Sequence, residues 1–164
     1  MPAGGIGEAS VGYDGWRVQP KEEQVSYTAT ASTTVKADPA TVWAALTDPE
    51  LVSKAFFGAT VESDWREGSP ITFSGEWQGK QFRDHGEIVT VRPAEELTFT
   101  HFSPLTGQPD VPENYHVVTF ELLGVRDGTE VTVRQTNAQS EQERAHSEQN
   151  WQTVLDNLRK TAES

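Results

Sequence analysis

The period of the apolar residues changes once along this chain, and that change limits the fold more than any other feature. Val25, Tyr27, Ala29, Ala31, Thr33 and Val35 alternate with Ser26, Thr28, Thr30, Ser32 and Thr34, a period of two rich in β-branched residues. After Ser140 the period becomes helical: Trp151, Val154, Leu155 and Leu158 fall at i, i+3, i+4 and i+7 on one face. Ser140 with Glu143 three residues later forms a capping-box start, so a long helix runs from about Ser140 to Ala162. Ser147 and Glu148 continue the apolar face as polar residues, so the first half of the helix faces something wetter than the second.

Between these ends the punctuation is regular. Asp38-Pro39 and Asp48-Pro49 each supply an N-cap followed by proline at the first helical position, which predicts two short helices in tandem ending near Gly58. Strands follow over Thr60–Trp65, Ile71–Trp77, Gln81–Val91, Glu96–Phe102, Tyr115–Leu123 and Glu130–Gln135, separated by turn signals such as Gln78-Gly79. Ser103 to Asn114 is proline-rich and reads as a loop, placed to cover one end of the sheet. Strand, two short helices, about six strands and a long helix make an α+β architecture, an antiparallel sheet packed on one amphipathic helix. Residues 1–23 are glycine-rich and read as a tail in which Tyr13 and Trp16 stand out; residues 24–164 read as a single domain.

Composition excludes several function classes. The 164 residues carry a formal net charge of −12, which repels phosphate backbones, so no nucleic acid is expected as a partner. No apolar run approaches the roughly 18 residues of a membrane span, and no membrane partner is expected. Cysteine is absent, which removes disulfides and thiolate chemistry and makes the cytoplasm the default compartment. The four histidines (His85, His101, His116 and His146) stand singly, without the close spacing of zinc sites, and neither a phosphate loop nor a dinucleotide fingerprint is present. No metal and no cofactor is expected. No G-x-S-x-G elbow marks a nucleophile, so no catalytic residue is assigned.

The order and spacing of these segments resemble the START-like (SRPBCC) superfamily over residues 25 to 162, in the branch related to the C-terminal domain of the activator of Hsp90 ATPase. The resemblance is carried by the stretch from Asp38 to Glu50, by Gly86-Glu87-Ile88-Val89 and Glu95 to Thr100, by Val118 to Leu122, and by Asn150 to Leu158. Each is a packing signature; their order makes the pattern. It implies the helix-grip fold, a curved antiparallel sheet of six to seven strands wrapped around the C-terminal helix with a cavity between them. Two positions depart from many relatives: Asn150 stands where glycine precedes the helix tryptophan, and Gln135 where histidine ends the last strand. The eukaryotic activator also has a separate N-terminal domain, for which residues 1–23 are too short.

Within that fold, strand parity nominates the cavity walls: Ile71, Phe73, Gly75 and Trp77 on one strand, Leu97, Phe99 and His101 on another, then His116, Val118, Phe120 and Leu122, then Val131, Val133 and Gln135. From these and the helix, Phe73, Trp77, Phe99, His101, His116, Phe120, Gln135 and Trp151 are the candidate ligand-binding residues. His101, His116 and Gln135 are polar groups on apolar faces, able to orient a ligand in an apolar pocket; their simpler role is that of satisfied residues near a sheet end. Trp151 opens an apolar helix face and reads more simply as a core aromatic. Asp84 and Glu87 could do acid–base work if buried, but their opposite parity keeps both from facing the cavity. The expected function is binding of a small hydrophobic molecule that enters near the 103–114 loop. The alternatives are a chaperone partner, as the resemblance implies, and a cavity-based enzyme, which needs a buried carboxylate or histidine pair.

Overall fold

Two aspartates turn the chain at its first corner. Asp38 Oδ1 accepts from Thr41 N at 2.9 Å and starts helix α1 (Pro39–Thr47); Asp48 Oδ1 accepts from Glu50 N at 2.9 Å and starts helix α2 (Pro49–Ala55). Proline at the first position of each helix lacks only an N–H that the helix would leave unpaired. Val42, Leu46 and Val52 are buried beneath them. The computed structural model describes residues 26–164. The tail read over residues 1–23, with Tyr13 and Trp16, and the strand start at Val25 lie outside the described residues.

The two helices follow strand β1 (Tyr27–Val35) and lead into β2 (Thr60–Ser63), β3 (Pro70–Trp77), β4 (Lys80–Arg92), β5 (Glu96–His101), β6 (His116–Val125) and β7 (Gly128–Ala138), and the chain ends in α3 (Glu141–Glu163). Among the described residues these strands form a seven-stranded antiparallel sheet in the order β1-β7-β6-β5-β4-β3-β2. Strands β1 and β2 therefore lie at opposite edges, and α1 with α2 bridges them. This is the α+β helix-grip fold.

Helix α3 lies on the inner face of the sheet. Ser140 Oγ accepts from Glu143 N at 3.0 Å at its start, and Val154, Leu155 and Leu158 are buried against a core that includes Phe120 and Val133. The helix also runs beside edge strand β1, where Glu148 Oε2 accepts from Thr30 N at 3.1 Å and Glu163 Oε2 from Lys36 N at 2.8 Å. Backbone amides that an edge strand turns away from its sheet are a template for unwanted pairing, and these carboxylates occupy them.

Two irregularities bend the sheet. The register passes from Ile88↔Phe99 to Thr90↔Thr98, one extra residue on β4, so Val91 rather than Thr90 shares the inner row with Leu97. The β1–β7 register passes from Ala29↔Gln135 to Tyr27↔Ala138, an extra residue on β7 where Asn137 adopts φ 68°. This bulge carries β7 three residues past the Gln135 end expected from the alternation. Gly86 meets the second constraint on shape: a Cβ there would lie 1.7 Å from the carbonyl oxygen of Thr100, so the approach of β4 to β5 requires glycine.

A candidate ligand cavity between the sheet and the C-terminal helix

Antiparallel register assembles the inner wall one strand at a time. Ile88, Phe99, Val118 and Gln135 lie opposite one another in one row, and Phe73 lies opposite Asp84, which shares the parity of Ile88, so all of these side chains stand on the inner face. Helix α3 supplies Ser147, Asn150, Trp151 and Val154 at i, i+3, i+4 and i+7, and the α2–β2 turn supplies Phe56, Phe57 and Ala59. Together they enclose a cavity of about 290 Å³. Its lining is mostly apolar and rich in aromatic rings, with Phe73 centred 5.6 Å from both Phe56 and Phe99.

Two polar pairs interrupt this apolar lining. Trp151 Nε1 donates to Gln135 Oε1 at 2.7 Å. An indole nitrogen only donates, so the bond fixes the orientation of the Gln135 amide and leaves its Nε2 as a donor. The second pair is His101 Nε2 with Asp84 Oδ2 at 3.1 Å. An ionised carboxylate only accepts, so His101 carries a proton on Nε2. The Phe73 ring stands edge-on to this imidazole with centroids 5.5 Å apart. Asp84 Oδ1 is buried and has no hydrogen-bond donor among the described residues. Few buried polar atoms in proteins are left in that state.

A second cavity, of about 250 Å³, shares Phe56, Phe57, Ala59, Phe82 and Asp84 with the first. It continues outward past Gly75, Glu76, Trp77 and Leu105. Its rim is apolar: the Phe57, Trp77 and Leu105 side chains are each more than half exposed. The 103–114 loop, which contains short 3-10 turns at Pro104–Thr106 and Pro112–Asn114, reaches this rim through Leu105. The same loop is tied to the outer face of the sheet by Asp110, which accepts from Tyr115 Oη at 2.6 Å and pairs with His85 Nε2 at 3.2 Å. The bond to Asp110 pushes the Tyr115 hydroxyl up to about 12.

The candidate residues separate into three groups. Phe73, Phe99, His101, Gln135 and Trp151 line the inner cavity. Trp77 lines only the outer one, because Trp77↔Lys80 is the last pair before the Gln78-Gly79 turn and stands at the end of the hairpin. Phe120 and His116 line neither. Phe120 is fully buried, with its ring 5.7 Å from Trp151 and 6.4 Å from Phe56. His116 stands opposite His101 but donates from Nδ1 to the Thr136 carbonyl at 2.8 Å. Asp84 faces the cavity and Glu87 lines a groove on the opposite face, as their parity requires.

The lining residues that alternation did not nominate are Phe56, Phe57, Ala59, Phe82 and Asn150. Phe82 shares parity with Asp84 and was readable in principle. The turn residues Phe56, Phe57 and Ala59 follow no period. Among the described residues, no three His, Asp or Glu side chains converge as a metal-ligand set, and no helix is long and apolar enough to cross a membrane.

This geometry has counterparts among known proteins. No curated protein matches the chain in sequence. The solution structure of ChR145 from Cytophaga hutchinsonii is 47% identical with a TM-score of 0.72, over 82% of this chain and 92% of that one. CalU16 from Micromonospora echinospora is 25% identical with a TM-score of 0.62, over 82% and 73%. Ara h 8.0201, at 16% identity and a TM-score of 0.67 over 84% and 98%, shares the fold alone. The family model described as "Activator of Hsp90 ATPase homolog 1-like protein" matches residues 36–163. With most of its length covered by that model, the chain belongs to the Activator of Hsp90 ATPase homolog 1-like family.

Proposed function

We propose that the protein binds a small hydrophobic or aromatic molecule in the cavity between the sheet and α3. The observation that carries this reading is a mostly apolar, ring-rich cleft in which two polar pairs, Gln135 with Trp151 and Asp84 with His101, are oriented by hydrogen bonds, the arrangement of small-molecule sites generally. Its volume of about 290 Å³ stands at the low end of ligand pockets, which suits a body of one or two rings better than a long lipid. Phe73, Phe99 and Trp151 take the rings, and the Gln135 amide, oriented by Trp151, donates to a polar end. Gln135 is a better anchor than His116, whose Nδ1 is engaged with Thr136.

The test is calorimetric titration with 1-naphthalenemethanol, a neutral two-ring probe with one hydroxyl. Saturable binding that is lost in Ser147→Trp, which fills the cavity from the helix side, supports the reading. Binding unchanged by that substitution would place the probe elsewhere and refute it.

Acid–base catalysis in the same cavity is a second reading, favoured by the Asp84–His101 pair. The carboxylate orients the ring through Nε2 and leaves Nδ1 to move a proton. A chaperone partner, suggested by the family description, stands behind both. The exposed Phe57, Trp77 and Leu105 that such a contact would use already form the rim of the cavity.

A further inference from the structure

Asp84 lies where the inner and outer cavities join. Its Oδ2 accepts a hydrogen bond from His101 Nε2, while Oδ1 is buried without a donor among the described residues. Leaving a buried carboxylate oxygen unpaired costs the desolvation of a charged acceptor, and the Asp84 side chain, 17% exposed where it lines both cavities, has acceptor capacity to spare for a ligand that carries a donor. The charge of the surrounding walls selects among donors. Glu76 also lines the outer cavity, and among the described residues neither lysine nor arginine lines either cavity. A cleft that carries one sign of charge between low-dielectric walls concentrates the opposite sign. Phe56, Phe73 and Phe82 line the inner cavity with Asp84, and an aromatic face favours a cation over a neutral group of the same size.

We propose that the ligand of this cavity is an organic cation, an aromatic or alicyclic amine bound as its ammonium, which donates N–H to the Asp84 carboxylate and lays its ring against the phenylalanines. This rests on the cavity being a ligand site, as proposed above, and adds the chemical class.

The test compares 1-naphthylmethylamine with 1-naphthalenemethanol, the same ring and linker with ammonium or hydroxyl, by calorimetry on the full chain. The amine is expected to bind at least about tenfold more tightly, the range of one charge-assisted hydrogen bond. The preference should persist at about 0.5 M salt, where exposed charges are screened within a few ångströms, and disappear in Asp84→Asn. Equal affinities for the two probes, or a preference that salt abolishes, would overturn the amine assignment while leaving the cavity reading intact. Failure of both probes to bind would overturn the cavity reading and this one with it. The comparison in the unaltered protein and its salt arm need no variant, so they decide the matter even if Asp84→Asn does not fold.

Discussion

His101 Nε2 donates to Asp84 Oδ2 at 3.1 Å, and both side chains are more than two-thirds buried on the cavity wall. The pair is the only donor contact that Asp84 has among the described residues, since Oδ1 has none. His101→Ala would leave both oxygens of a buried carboxylate without a donor. The expected loss is about 1–3 kcal/mol in urea unfolding at neutral pH, with Asp84→Asn in the same background recovering part of it.

Gly86→Ala tests the contact between β4 and β5. The new Cβ would meet backbone, the Thr100 carbonyl oxygen at 1.7 Å, and backbone cannot rotate away as a side chain can. The substitution should cost more than the roughly 1–3 kcal/mol typical of overpacking, read as a lowered melting temperature. Gly79→Ala has open space around its Cβ but a φ of 80°, so only the strain of that backbone conformation is expected there.

Glu148 couples the helix to the edge strand, and its contribution depends on pH. The Thr30 amide, and after it the Arg144 guanidinium, hold its carboxyl below the ordinary 4.5. A lowered value in the folded state means that the stabilisation is complete above about 4.5 and is lost as pH falls through the folded value. The stability gap between the protein and Glu148→Gln should be widest near neutral pH and narrow as pH falls below 4.5, measured as urea midpoints across that range.

Tyr115 gives the opposite case on the outer face. Its bond to Asp110 raises the hydroxyl from 10.0 to about 12. The neutral phenol is favoured in the folded state, so this contribution is present below pH 10 and fades as pH rises toward 12. Ultraviolet titration should show a tyrosine ionising well above 10.0, and Asp110→Ala should bring it back toward 10.0.

The sequence was most legible where one local signal fixed one local structure. Asp38 and Asp48 announced α1 and α2 because an N-cap followed by proline has few other uses. The polar Ser147 ahead of Trp151 announced that the first half of α3 would not reach the core, and Ser147 and Asn150 line the cavity instead. Legibility ended where geometry depends on two strands at once. The extra residues near Val89 and Asn137 are set by the curvature of the closed register, and no period within one strand contains them. The Gln135–Trp151 bond joins residues nominated separately, and only the packing of α3 on β7 brings them together. The choice between Asp84 and Glu87 as the inward acid needed one further fact, that Asp84 faces Phe73 across the β3–β4 ladder.

The central claim is that this cavity holds a ligand, and the most direct measurement is the set of intermolecular nuclear Overhauser effects between protein side chains and bound 1-naphthalenemethanol. The account predicts contacts from the naphthalene protons to Phe73, Phe99 and Trp151, with the probe hydroxyl nearest Gln135. Contacts confined to the outer groove around His85 and Tyr115, or none under conditions where the probe is saturating, would contradict it.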